Sequence, residues 1–136
     1  MAELTIKATV DNLNNVLAFI DEELEKLDCP MKVQMQIDVA VEEIFVNIAS
    51  YAYIPDIGDA TIKMEPVSDS NAVSITFFDS GVPYDPLAKP DPDVTLSAAE
   101  RQIGGLGIYM VKKSMDDMKY QYQDGQNILT LVKNLR

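Results

Sequence analysis

The 136-residue chain carries 11 basic and 22 acidic side chains, a formal net charge of −11, and no histidine. Such a surface repels a phosphate backbone, so no nucleic-acid partner is expected, and the missing histidine excludes His-centred triads, His metal sites and phosphohistidine chemistry within this chain. With 47% apolar residues the length suits one folded domain over residues 1–136, and no apolar run approaches the roughly 20 residues of a membrane helix. The start MAELTIKATV lacks a signal-peptide pattern and the lone Cys29 has no internal disulfide partner, so a cytoplasmic protein with no membrane contact is the expectation.

In chain order, residues 4–10 alternate apolar and polar as a half-buried strand does. Asp11 is placed to cap a helix whose apolar positions Leu13, Val16, Leu17, Ile20, Leu24 and Leu27 recur every three or four residues. After Pro30 two periods compete. Met31, Val33, Met35, Ile37, Val39 and Val41 are spaced by two, whereas Ala40, Val41, Ile44, Phe45, Ile48 and Ala49 follow a helix. One continuous helix over about 31–53 is the reading that keeps both halves together. Strands follow near 60–67 and 72–79.

Residues 82–103 hold four of the seven prolines (Pro83, Pro86, Pro90 and Pro92) and little periodicity, which marks a long functional loop. Helical spacing resumes at Leu106, Met110, Val111 and Met115. A hairpin closes the chain, with 119–123 and 128–135 as strands around a turn at 124–127. The pattern is that of an α+β two-layer α/β sandwich, with helices on one face of a mixed, mostly antiparallel sheet.

Three segments carry candidate chemistry. Glu43 and Asn47 are one helical turn apart on one side of a helix, at the edge of its apolar stripe. A carboxylate there serves as a general base and an amide oxygen as a Mg²⁺ ligand, although a solvent-facing Glu and Asn would fit the same spacing. Glu42 competes for the base role, and helical phase favours Glu43 as the neighbour of Asn47. At the end of a strand, Asp79 can accept a hydrogen bond from an exocyclic amine while Gly81 admits a flat ring, or the two form a plain turn with Ser80. Gly104, Gly105, Leu106 and Gly107 open a helix whose free N–H groups suit an anion, with Leu106 anchoring the turn; a flexible hinge is the alternative. Arg101, just upstream, is either a charge-neutralising group or a surface residue. Four of the six glycines fall in these two loops.

In this order and spacing, Glu43-xxx-Asn47, Asp79-x-Gly81 and Gly105-x-Gly107 resemble the N, G1 and G2 boxes of the GHKL (Bergerat-fold) ATPases. The resemblance is strongest to the small bacterial anti-sigma factor serine/threonine kinases and spans nearly the whole chain. It implies ATP and Mg²⁺ as ligands, an ATP lid over about 82–103, Glu43 as catalytic base and Asn47 as the metal ligand. It further implies adenine recognition by Asp79 and Gly81, and phosphate binding by Gly104, Gly105, Leu106 and Gly107, with Arg101 assisting transfer. The implied protein substrate is a serine on an anti-sigma factor antagonist, with a sigma factor as second partner and a homodimer as the usual assembly. Tyr51 stands where many members carry His, and Ile103 stands where some carry the lid arginine.

Overall fold

Segments whose side chains alternate between buried and exposed build the five strands: β1 (Ala2–Lys7), β2 (Asp59–Pro66), β3 (Ala72–Asp79), β4 (Asp117–Gln123) and β5 (Gln126–Asn134). They join in the order β1-β2-β3-β5-β4, with every pairing antiparallel, in a computed structural model that describes residues 2–53, 56–67, 70–88 and 105–135. Three helices, α1 (Leu13–Lys26), α2 (Met31–Asn47) and α3 (Gly105–Ser114), cover one face. The core lies between the layers: Ile20, Ile37, Phe45 and Val111 from the helices meet Ile62, Ile75, Phe77 and Leu131 from the sheet, all essentially sealed from solvent. No helix among the described residues is long and apolar enough to cross a membrane.

Four local outcomes differ from the sequence expectation, each for a physical reason. β1 stops at Lys7 because residues Val10–Asn12 wind into a 3₁₀ turn, held by Asn12 N–H to Thr9 O at 3.0 Å and Asn12 Nδ2 to Lys7 O at 2.9 Å. Asp11 therefore lies inside that turn and caps nothing by its side chain. By contrast, the residues spaced by two from Met31 to Val41 bear out the helical reading, for they split between two faces of α2. Ile37 and Val41 are buried, whereas Met31, Met35 and Val39 are 69%, 61% and 53% exposed.

The helix also does not run unbroken to residue 53. Its α-helical part ends at Asn47, and Ile48–Ala52 form one π-helical turn, a wider winding that is frequent beside functional sites. Last, the closing hairpin turns on two residues and not four. Asp124 and Gly125 take φ of 55° and 78°, the left-handed pair of a type I′ turn, so Asn127 belongs to β5.

Candidate functional site

Strand alternation determines what the floor of the site contains. Val73, Ile75 and Phe77 point from β3 into the core, so Asp79 at the strand end points the same way. β5 pairs with β3 so that Asn127 lies directly opposite Asp79, continuing the inward row of Leu129 and Leu131. Ala60 of β2 flanks Asp79 on the other side. The apolar row thus ends in two buried polar side chains, 7% and 6% exposed.

Both are closely partnered, as buried polar groups require. Asp79 Oδ1 accepts from Gly81 N at 2.9 Å and from Asn127 Nδ2 at 2.9 Å. Asn127 Nδ2 also donates to Val82 O at 2.9 Å, while its Oδ1 accepts from Tyr84 N at 3.0 Å and from the Tyr120 hydroxyl. Burial raises the Tyr120 pKa above its ordinary value, so the hydroxyl keeps its donor proton at neutral pH. The sequence expectation had put Asn127 in the hairpin turn and assigned Tyr120 no role. Counting an Asp-Gly pair as a two-residue turn is the signal that would have placed Asn127 on the inner face.

The π turn builds the adjoining wall. Ala52 O accepts from Val82 N at 3.0 Å, and Gly81 packs so closely on Ala52 that a Cβ there would overlap the Ala52 carbonyl. Glycine at 81 is thus demanded by this close approach. Tyr53, just past the π turn, donates its hydroxyl to Asp59 O at 2.6 Å and accepts from Ser80 N at 2.7 Å. It ties the start of β2 to the end of β3; burial raises its pKa, with the Ser80 amide opposing the shift.

Between the π turn, the sheet floor and residues 82–86 lies a cleft of about 690 Å³, partly open to solvent. Its lining is mainly apolar, including Ile44, Ile48, Phe77 and Ile108, with Asn47, Asp79, Tyr51, Tyr120 and Asn127 as polar members. Asn47 is half-buried and makes no side-chain hydrogen bond among the described residues. One turn earlier, Glu43 reaches the first turn of α3: a Cβ on Gly107 would overlap its carboxylate. Glu42 is exposed, so helical phase separates the two acids.

Of the residues singled out in the sequence, Asn47 and Asp79 meet in the cleft, Gly81 closes its wall, and Glu43 meets Gly107 beside it. Gly105 and Leu106 belong to the first turn of α3. Gly104, Arg101 and the part of the expected lid from residue 89 to 103 lie outside the described residues. A buried carboxylate at the floor of an apolar cleft, with an amide and a second carboxylate toward a glycine-rich helix start, can read a donor on a flat ring at one end. At the other end it can hold an anion and abstract a proton.

Comparison with known proteins agrees in fold and in name. The family described as "Histidine kinase-like ATPase domain" matches residues 6–133. The serine/threonine-protein kinase BtrW of Bordetella bronchiseptica is 29% identical over 103 residues, 76% of this chain and 72% of BtrW. The serine-protein kinase RsbW of Bacillus cereus (strain B4264) is 26% identical over 128 residues, 91% of this chain and 72% of the relative. Among solved structures, the RsbU and RsbW domains of Rv1364c from Mycobacterium tuberculosis superpose with a TM-score of 0.66 at 18% identity. The match covers 99% of this chain and 33% of that one, and it shows the fold alone.

Proposed function

The chain belongs to the histidine kinase-like ATPase domain family, and from that premise we propose that it is an ATP- and Mg²⁺-dependent protein serine/threonine kinase acting as an anti-sigma factor. The observation that carries the reading is Asp79. Both its hydrogen bonds fall on Oδ1, and Oδ2 carries none among the described residues while the side chain lines an apolar cleft. A lone acceptor in such a place suits the exocyclic amine of adenine and rejects the carbonyl of an oxopurine. The mainly apolar lining with a few convergent polar groups suits a flat aromatic base. The serine-kinase names of the relatives support phosphoryl transfer.

In this reading Asn47, whose amide makes no hydrogen bond among the described residues, would hold Mg²⁺. The ion when bound supplies charge neutralisation at the phosphates. Gly104, Gly105, Leu106 and Gly107 would present backbone N–H groups to the same phosphates at the start of α3, with Arg101 adding positive charge. Glu43, held against that helix start, would take the proton from a substrate serine hydroxyl. As the serine Oγ bonds to the γ-phosphorus, the bond from phosphorus to the β–γ bridging oxygen breaks and ADP departs. The substrate serine would lie on an anti-sigma factor antagonist, a sigma factor would be the alternative partner, and the assembly would be a homodimer, as the family resemblance implies.

The test is incubation with labelled ATP, Mg²⁺ and candidate antagonists. Glu43→Ala is expected to lower transfer by about 10²–10⁴-fold while ATP binding persists. Transfer at the wild-type rate would remove Glu43 from the base role. A second reading, a nucleotide-gated module that sequesters its partner without significant kinase activity, is favoured by Ile103 standing where some relatives carry the lid arginine. It predicts saturable ATP binding with no labelled antagonist.

A further inference from the structure

The hydrogen bonds around Asn127 go beyond what the proposed roles require. An Asn side chain has two N–H donors and two acceptor positions, and here all four are taken by protein. The two donors go to the Asp79 carboxylate and the Val82 carbonyl; the two acceptor positions receive the Tyr84 amide and the Tyr120 hydroxyl. A carboxylate and a carbonyl on one side, and an N–H and an O–H on the other, allow only one orientation of the amide. Its partners come from four places: the end of β3, the loop at residue 82, the loop at residue 84, and β4. Val82 and Tyr84 line the cleft along with Asp79. One buried amide therefore holds the carboxylate at the floor of the cleft and the loop at its wall as a single unit.

We propose that Asn127 is the positioning residue of the base subsite, setting Asp79 and the 82–84 wall at the spacing a purine needs, with Tyr120 fixing the amide in turn. The proposal rests on the nucleotide reading above and assigns the base end of that site a supporting side chain on β5. Because every polar position of Asn127 is spent on protein, its effect on a base passes through Asp79 and the wall.

The test separates the base end from the phosphate end by titrating the folded chain with Mg-ATP and, separately, with inorganic triphosphate. Asn127→Leu keeps similar bulk and removes all four bonds, and it is expected to weaken ATP about tenfold or more while leaving triphosphate affinity unchanged. Tyr120→Phe removes one bond, with a loss of about threefold expected. Asn127→Asp gives a sharper signature. It keeps acceptors for Tyr84 and Tyr120 but puts two carboxylates in contact, and such a pair holds one shared proton to higher pH than a lone carboxylate does. Its ATP affinity relative to wild type at the same pH is expected to be low at about pH 8 and to recover several-fold by about pH 5.5, as the shared proton restores a donor to Asp79.

A folded Asn127→Leu with wild-type ATP affinity overturns the proposal. So does equal loss of ATP and triphosphate, which marks a merely structural residue. If Asn127→Leu does not fold, the pH response of Asn127→Asp decides: recovery supports the proposal, and a pH-independent ratio to wild type overturns it. Failure of the wild-type chain to bind ATP is a distinct result that overturns the nucleotide reading and this inference with it.

Discussion

Among the described residues, two places shield carboxylate oxygens from solvent, and they do so in opposite ways. At the floor of the cleft, Asp79 receives N–H donors from Gly81 and Asn127. Between α1 and α2, Asp21 and Asp38 each turn an oxygen, Oδ1, away from solvent, and no amide or hydroxyl of the other described residues donates to either. Two carboxylates cannot donate to one another. Burial, and then the hydrogen bond and charge of Asp21, raise the Asp38 pKa from 3.8 to about 7, so that one proton held between the pair does the work that amides do at Asp79. Strand register supplies donors in a fixed row; a helix–helix contact supplies only what the side chains themselves bring. The first arrangement leaves Oδ2 of Asp79 without a protein partner among the described residues. The second makes local stability depend on pH.

The largest expected effect breaks the first half of that contrast. Asp79→Ala removes the acceptor offered to the base and leaves Asn127 Nδ2 short of a partner. ATP affinity is expected to fall by about 100-fold, roughly the cost of losing a buried charged hydrogen-bond partner, measured by calorimetric titration. Retained affinity would place the base elsewhere.

Next in size is Gly81→Val, whose side chain would be driven into the Ala52 carbonyl of the π turn. Overpacking of this kind is expected to cost about 1–3 kcal/mol in denaturant unfolding, with ATP binding weakened as the wall moves.

The smallest effect sharpens the second half. The unfolded chain releases the Asp38 proton near pH 3.8 and the folded chain near 7. Within that window the folded state holds a proton that the unfolded state has lost, so this contribution to stability falls as pH rises and is gone above about 7. Asp38→Asn, which carries its own N–H donor to Asp21, is expected to flatten that slope. After allowance for solvent screening of a half-exposed pair, it should stabilise the fold by about 1 kcal/mol at about pH 8. Unfolding midpoints across the pH range check it; an unchanged slope would separate the pair from the pH response.

Much of this was readable one segment at a time. Val73 to Phe77 alternate, and that period alone directs Asp79 toward the helices. Helical phase alone separates half-buried Glu43 and Asn47 from exposed Glu42. The spaced-by-two run Met31 to Val41 was ambiguous because a helix with an exposed apolar stripe imitates a strand over a few residues. The π turn at Ile48–Ala52 left no periodic trace, since one widened turn shifts the phase too little to register in five residues.

The sequence by itself determined the two-layer α+β class and the inward direction of Asp79, because both follow from side-chain periods within single elements. It also brought the three boxes into view, since each is a run of neighbours. Only the tertiary structure decided that Asn127 lies opposite Asp79, that Tyr120 fixes its amide, that Glu43 meets Gly107, and that Asp21 faces Asp38. Those pairings depend on register, on a two-residue turn and on how helices dock, and a one-residue slip in any of them would have turned the same side chains to another face.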